Sequence, residues 1–367
     1  MATDPVNPEF EEPEGIGSDE DSSWGDYPLD TVLIRNESRT VADVLRRINQ
    51  GRYVLDPDFQ RDFIWTDLKQ SKLIESVLMR IPLPVLYLAE DSEGRMIVVD
   101  GLQRLSTFNR FVDGELSLRL KDQVELNGKR FGDLSPKLQN RIEDCNLTLY
   151  IIDSKVPERA RLDIFERVNS GVPLTRQQMR NSLYSGPGTL FLKKEALTPL
   201  FLEATGHSLR TASMRDREFV NRFCGFQLLT PGKYRGEMDD FLADTLEHMN
   251  RMQEVELSRL SAEFRTGLNN NVIVFGEHAF RKHFEGQTRR SVINASLWDI
   301  MSTGLSRFPT DLVESQVKHL RDALHGLMND ESFIASITYG TNDTRRVKHR
   351  FDAASKMFQE VFGAHPT

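Results

Sequence analysis

Apolar residues recur at helical spacing in two segments near the start of the sequence. The apolar positions of Val41–Ile48 fall on one face of a helix, and Thr40 before them is a residue type that caps helix starts. Gly51 is placed to end this helix. A second amphipathic segment opens at Thr66 and is stopped by the prolines that begin at Pro82. The pattern predicts two helices joined by a loop.

Three short apolar runs have the length and composition of strands. VLYLAE and MIVVD are separated by a turn that contains Gly94, which predicts a hairpin or a sheet pair, and Leu147–Asp153 predicts a buried strand. Asn127 followed by Gly128 predicts a hairpin turn. The segment TRQQ, which begins at Thr175, matches a helix capping box.

The rest of the sequence is helical in pattern almost to its end, which predicts two domains of the α+β class. We expect a disordered acidic tail over residues 1–30, an α+β domain over 31–153 and an α-helical domain over 154–367, which closes over one side of the first. Ten of the 55 acidic residues lie in the first 30 positions, and no basic residue does. Such a segment cannot bury enough apolar surface to offset its ordering entropy. A solubilising tail and an arm that masks a basic groove are both compatible with it.

The cysteines and the apolar runs of the sequence indicate the compartment in which the protein works. The two cysteines, Cys145 and Cys224, are far apart and lack metal-binding or catalytic spacing. The sequence has no signal-peptide pattern and no apolar run long enough for a membrane span. We therefore expect a cytoplasmic protein with no membrane partner, and its oligomeric state stays open.

The most informative motif is Asp100-Gly101-Leu102-Gln103-Arg104, which joins a predicted strand to a predicted helix. Backbone N–H groups and the helix dipole favour an anion at such a helix start, and an arginine fork suits phosphate oxygens. Asp100 is then a candidate metal ligand or water-orienting group. An ordinary Asp-Gly turn is the alternative explanation.

A second polar pair lies in the loop between the first two helices. Gln60 and Arg61 stand in PDFQRDFIW, among aromatic residues that suit a core better than a ligand site. The two polar side chains are candidates to join the same anion site. The alternative is that Arg61 pairs with a neighbouring acid such as Asp58 or Asp62.

Four segments together resemble the N-terminal domain of the GmrSD-type restriction endonucleases, which belongs to the ParB/sulfiredoxin-like group. The resemblance covers roughly residues 41–187, and its segments are PDFQRDFIW, LIESVLMRIPLPVLYL, IVVDGLQRLSTFNRF and IFERVNSGVPLTRQQMRNSLYSGP. It implies a ParB/sulfiredoxin-like N-terminal domain followed by a mainly α-helical one. It also implies nucleotide binding in a prokaryotic restriction or anti-phage system.

The resemblance implies roles for individual residues. Asp100, Gln103 and Arg104 become candidate catalytic residues, and Asp100 the candidate Mg²⁺ ligand. Candidate contacts to a nucleoside triphosphate are Gln60, Arg61, Gly101, Arg104, Arg167 and Asn169. The family usually has Asp-Gly-Gln-Gln-Arg here, whereas this chain has Leu102 in place of the first Gln. One lost neutral hydrogen bond is worth about 0.5–1.5 kcal/mol, so binding is more secure than hydrolysis.

Two functional hypotheses follow from these observations. The first is a protein that binds a nucleoside triphosphate. In the stronger form of this hypothesis it also hydrolyses the nucleotide with Mg²⁺. The second is a non-catalytic module that senses DNA or a partner nuclease and has lost hydrolysis. A nuclease activity of its own is not expected, because no His-Asn-His-type constellation is found. His278 and His283 are five residues apart, which places them on different sides of a helix.

Overall fold

A computed structural model of the chain describes residues 11–16, 33–55, 65–91, 93–156, 158–168, 175–287 and 289–363. The chain divides into two compact units. The first, here called the sheet unit, consists of the described residues within Trp24–Leu174. The second, here called the helical unit, consists of residues 11–16 and the described residues within Thr175–Thr367. The expected α+β class is confirmed, with a sheet in the N-terminal region and a mainly helical C-terminal region.

The sheet unit is built on a mixed five-stranded sheet with the strand order β1-β5-β3-β4-β2. The neighbours β1 and β5 are antiparallel, as are β3 and β4, whereas β3 with β5 and β2 with β4 are parallel. In chain order the elements are β1 (Ile34–Thr40), α1 (Val41–Asn49), β2 (Tyr53–Val54), α2 (Asp67–Leu78), β3 (Leu86–Glu90), β4 (Met96–Asp100), α3 (Leu102–Val112), α4 (Pro136–Glu143), β5 (Asn146–Ile152) and α5 (Glu158–Val168).

Local sequence signals account for most of these elements. Thr40 and Thr66 cap α1 and α2, and each side-chain oxygen accepts a hydrogen bond from the backbone three residues on. Apolar side chains of α1 to α4 pack against the sheet in a core in which Val44, Phe108 and Leu149 have no exposed surface. This core includes Leu86 of β3 and Leu105 of α3, and it therefore holds the start of α3 against the sheet.

The structure departs from the sequence-based expectations at three places in this unit. Gly128 does lie in a turn, but its flanks form no strands within the described chain. There Leu118 and Leu120 turn into the core, and the Leu120 N–H donates to the Asn127 side chain instead of to a partner strand. The strands β1 and β2 were not expected. The sheet unit also extends past residue 153, because α5 packs against β4 and Arg161 donates to the Glu90 carbonyl oxygen.

The helical unit contains eleven α-helices within the described chain. They are α6 (Arg176–Leu183), α7 (Pro187–Ala196), α8 (Pro199–Thr205), α9 (Arg215–Leu228), α10 (Met238–Arg251), α11 (Glu254–Phe275), α12 (Ala295–Leu305), α13 (Thr310–Ser315), α14 (Val317–Met328), α15 (Glu331–Thr338) and α16 (Thr344–Phe362). The predicted capping box is present at α6, where Thr175 and Gln178 bond each other's backbone. Among the described helices, none has the length and apolarity needed to cross a bilayer.

The expected disorder of the acidic tail does not hold for residues 11–16. This segment lies on the helical unit, and Glu11 and Glu14 form ion pairs with Arg281 and Lys282. Partner cations that are distant in sequence supply the stabilisation that the composition of the tail lacks. The other residues of the predicted tail up to position 30 lie outside the described residues.

The close packing of α11 against α12 leaves no room for a side chain at Gly267. A Cβ atom on Gly267 of α11 would lie 2.4 Å from the Ser302 carbonyl oxygen of α12. We expect Gly267→Ala to lower the free energy of unfolding by about 1–3 kcal/mol, because backbone rather than a flexible side chain must move. Urea denaturation measures this. Gly326→Ala is the matched control, since a Cβ there meets nothing within 4 Å. A Gly267→Ala variant as stable as that control would contradict the prediction.

Candidate functional site

The predicted motif lies at the end of β4 and the start of α3. Asp100 is the last residue of β4, and Gly101 is the N-cap of α3 with a left-handed φ of 102°. No side chain caps this helix start. The first N–H groups of α3 are therefore not met by a capping oxygen, which is the arrangement that suits an anionic ligand.

Gly101 is required for packing as well as for its backbone angle. A Cβ atom at this position would lie 2.0 Å from Leu86 Cδ2 and 3.3 Å from an Arg104 guanidinium nitrogen. The turn is thus pressed against the first residue of β3. The close approach that requires a glycine here is therefore between the turn and β3 of the same protein.

Arg104 is held by three oxygens of the sheet unit. Its guanidinium donates to the carbonyl oxygens of Pro84 and Val85, the latter at 2.9 Å, and to Asp100 Oδ2 at 2.8 Å. Only 11% of the side chain is exposed. Burial lowers the pKa of Arg104, and the Asp100 carboxylate acts in the opposite direction. Arg104 therefore orders the segment before β3 in addition to carrying charge at the helix start.

Gln103 links the motif to the loop that precedes α2. Its side-chain oxygen accepts a hydrogen bond from the Trp65 backbone N–H at 3.4 Å. The Trp65 carbonyl accepts from the buried Gln70 of α2 at 2.8 Å, and Arg110 of α3 donates to Gln70 at 2.8 Å. Two helices thus fix the position of Trp65 beside the start of α3.

Gln60 and Arg61 lie outside the described residues, as does Asn169. Before the gap, β2 pairs with Met96 and Ile97 at the start of β4, and after it the Trp65 N–H bonds Gln103, so the second flank contacts the motif directly. Arg167 is exposed in the last turn of α5. The hydrogen bond from Arg161 anchors that helix at Glu90 of β3. Glu90 pairs with Met96, the first residue of β4, whereas Asp100 is the last.

The structure therefore brings together Asp100, Gly101, Gln103 and Arg104. Within the described chain, no group of three or more His, Cys, Asp or Glu side chains is arranged to hold a metal ion. A single carboxylate fits Mg²⁺ only where phosphate oxygens and water complete the coordination, as in many nucleotide sites. Asp100 is the carboxylate of the motif, with 33% of its side chain exposed and with its Oδ2 bound to Arg104.

Sequence reasoning missed the carbonyl ligands of Arg104 and the clamp on Trp65. The run Pro82-Leu83-Pro84 was a usable signal, because prolines lack the N–H needed for regular pairing while their neighbourhood still presents carbonyl oxygens that need donors. The contact between Leu86 and Gly101 had no such signal. It depends on the pairing of β3 with β4.

The prediction that His278 and His283 lie on different sides of a helix is wrong, because a short 3-10 helix ends at His278 and His283 lies outside it, so the two rings meet in the helical unit. The rings of His278 and His283 stack with centroids 3.9 Å apart, and His325 Nε2 lies 3.2 Å from His283 Nδ1. His283 Nε2 also contacts the Gln287 carbonyl oxygen. Both nitrogens of His283 are therefore engaged within the protein.

The segment that contains the mixed sheet and the uncapped helix start is similar to a domain of a restriction-endonuclease family. Residues 41–185 match the family described as "GmrSD restriction endonuclease, N-terminal domain". The match confirms the resemblance drawn from the sequence motifs. It runs from the start of α1 through α6. No curated protein and no solved structure matches the chain.

Proposed function

We propose that the sheet unit binds a nucleoside triphosphate at the start of α3, as part of a prokaryotic restriction-like or anti-phage defence system. The observation that carries this proposal is the uncapped start of α3, around which Asp100, Gln103 and Arg104 are gathered. The family match supplies the restriction context.

Each residue of the motif has a role in this proposal. The N–H groups at the start of α3 and the Arg104 guanidinium bind phosphate oxygens, which compete with Asp100 for the arginine. Asp100 is then available to bind Mg²⁺ or to orient water, and Gln103 positions an oxygen of the ligand. Gln60 and Arg61 belong to the proposal because the residues that flank them adjoin β4 and α3.

A second function, that of a non-catalytic module sensing DNA or a partner nuclease, is favoured by two observations. Leu102 removes an amide from the turn, and Arg104 already has three oxygen partners within the protein. Both features reduce the polar groups free to act on a phosphoryl group. Under this alternative the site is structural, or it binds a nucleotide without hydrolysing it.

Isothermal titration of the full chain with ATP, GTP, CTP and UTP in Mg²⁺ tests the proposal. We expect saturable binding of at least one nucleotide, weakened about 10-fold to 100-fold by Arg104→Ala, because a hydrogen bond to a charged group is worth about 1.5–3 kcal/mol. Leu102→Gln restores the residue usual in the family. It is expected to strengthen binding about twofold to tenfold and to raise the rate of phosphate release.

Arg119→Ala is the matched control, since Arg119 is a largely exposed arginine of the same unit paired with Asp67. Thermal unfolding without nucleotide separates a loss of binding from a loss of fold, because Arg104 also holds the Pro84 and Val85 carbonyls. Absence of binding to all four nucleotides by both the wild-type chain and Leu102→Gln overturns nucleotide binding. The sensing module would then be the better explanation.

A further inference from the structure

Residues 11–16 lie on the helical unit, where Glu14 forms a β-bridge and the chain turns at Gly15. The Glu11 N–H donates to the Ser208 carbonyl at 3.1 Å, and the Glu14 N–H donates to the Ile293 carbonyl at 2.8 Å. The Ala295 N–H donates in return to the Glu14 carbonyl at 2.8 Å, which makes a parallel β-bridge between Glu14 and Asn294. The segment is therefore bound through its main chain, as a short added strand is.

Two carboxylates of this segment enter separate cationic positions. Glu11 forms ion pairs with Arg281 and with Arg290, the latter at 3.0 Å, and its side chain is only 15% exposed. Glu14 accepts hydrogen bonds from Lys282 Nζ at 2.5 Å and from Asn294 Nδ2 at 3.2 Å. Glu12, between them, is exposed. The carboxylates of the first and fourth residues of the segment are therefore bound by the helical unit, whereas the side chain of the second residue is exposed.

The next two residues of the segment are also selected by their surroundings. Gly15 has a left-handed φ of 81°, its carbonyl accepts from Thr341 Oγ1 at 2.9 Å, and a Cβ would lie 3.4 Å from the Thr341 methyl carbon. Ile16 packs against the main apolar core of the unit. Together the contacts define the pattern Glu-x-x-Glu-Gly followed by an apolar residue.

The groove, defined here as Arg281, Lys282, Arg290, Asn294 and Thr341, is largely shaped by the helical unit itself. Arg281 also donates to the carbonyls of Ser291 and Thr205, and Lys282 donates to Thr338 Oγ1. The Asn294 side chain caps α12 and donates to the Ile337 carbonyl. These bonds do not involve residues 11–16. Arg281 and Lys282 are thus positioned by contacts within the helical unit as well as by the segment, which lowers the entropic cost of binding.

We propose that this groove is a recognition site for an extended acidic peptide with the Glu-x-x-Glu-Gly-apolar pattern on another polypeptide, and that residues 11–16 occupy it as an intramolecular competitor. The inference concerns the helical unit and does not depend on nucleotide binding by the sheet unit. The competitor is held by charged and main-chain hydrogen bonds and by one apolar side chain, so it is exchangeable. Salt weakens the Glu11–Arg290 ion pair most, because Arg290 has 36% of its side chain exposed.

The contacts fit a peptide better than a nucleic acid. Arg281 has 1% of its side chain exposed and is surrounded by oxygens of the unit, so it suits a single inserted carboxylate. Alternating N–H and C=O partners at Ile293 and Ala295 match the main chain of a peptide, which a phosphodiester backbone cannot imitate.

Fluorescence anisotropy with a labelled peptide of residues 9–18 tests the proposal on the full chain. In the variant Glu11→Gln/Glu14→Gln the intramolecular segment is weakened, and we expect saturable binding of the wild-type peptide. The wild-type chain is expected to bind that peptide at least tenfold more weakly, because its own segment is present at an effective concentration on the order of millimolar. Glu12→Gln is the matched control and should behave as the wild type.

Adding Lys282→Glu to the double variant should weaken peptide binding about tenfold or more, since a charge-assisted bond is replaced by repulsion. Equal peptide binding by the double variant and the Glu12→Gln control would overturn the proposal. So would binding of a DNA duplex, but not of the peptide, by the double variant. If both the double variant and Glu14→Gln alone unfold the helical unit, the segment is an integral strand and the proposal fails.

Discussion

Replacing Asp299 with Asn is expected to lower the free energy of unfolding of the helical unit by about 3–5 kcal/mol. Asp299 accepts hydrogen bonds from Arg222 at 2.8 and 2.6 Å and from Arg350 at 3.0 Å. The Asp299 and Arg350 side chains are 0% exposed, and that of Arg222 is 1% exposed. Asparagine nearly keeps the volume of the side chain. It leaves two buried guanidinium groups without the carboxylate that they share.

Urea denaturation followed by tryptophan fluorescence and circular dichroism measures this change, since Trp298 lies in the same core. Asp322→Asn is the control for loss of one negative charge, because Asp322 is exposed on α14 of the same unit. It should change the stability by less than about 0.5 kcal/mol. A loss below about 1 kcal/mol in Asp299→Asn would show that water or a neighbouring group compensates the two arginines.

The parts of the fold that the sequence predicted are those fixed by local interactions. The capping residues Thr40 and Thr175 bond backbone groups three residues away, so their types and spacing suffice to locate α1 and α6. The same holds for β3 and β4, whose apolar runs are joined by a short turn. In each case the partner lies within a few positions along the chain.

The elements that were missed depend on distant partners. The strand β1 has the sequence IRNESRT, which lacks apolar alternation, yet Ile34 pairs with Ile152 and Thr40 with Asn146 of β5. Its charged side chains pair with one another and with other strands, as Arg35 does with Glu37 at 3.3 Å and with Glu90 of β3 at 2.7 Å. No local pattern encodes such pairing. Composition wrongly predicted disorder for residues 11–16 for the same reason, because the cations that pair with Glu11 and Glu14 are distant in the sequence.

The candidate site shows the same division. The sequence motif placed Asp100, Gly101, Gln103 and Arg104 together, since a strand that runs straight into a helix keeps five consecutive residues at one edge. It could not show how Arg104 is used, because Pro84 and Val85 meet the guanidinium only once β3 and β4 have paired. The motif therefore predicts which chemical groups lie at the site. The tertiary structure determines which of them are already hydrogen-bonded within the protein.

Gly101→Ala is expected to lower the free energy of unfolding of the sheet unit by about 2–5 kcal/mol. A left-handed backbone angle costs a residue with a Cβ about 1–2 kcal/mol. The new Cβ, 2.0 Å from Leu86 Cδ2, adds an overpacking cost of about 1–3 kcal/mol. Urea denaturation of the nucleotide-free protein measures the sum.

Gly128→Ala separates the two contributions. Gly128 has a φ of 80°, but a Cβ there meets nothing within 4 Å, so this variant should lose only about 1–2 kcal/mol. The clash is tested by Leu86→Ala/Gly101→Ala, which should be less destabilised than the sum of its single variants because the contacting methyl group is gone. If Gly101→Ala costs no more than Gly128→Ala, the glycine is not needed for packing. Close approach of a ligand to the backbone would then be the better reason for a glycine at the start of α3.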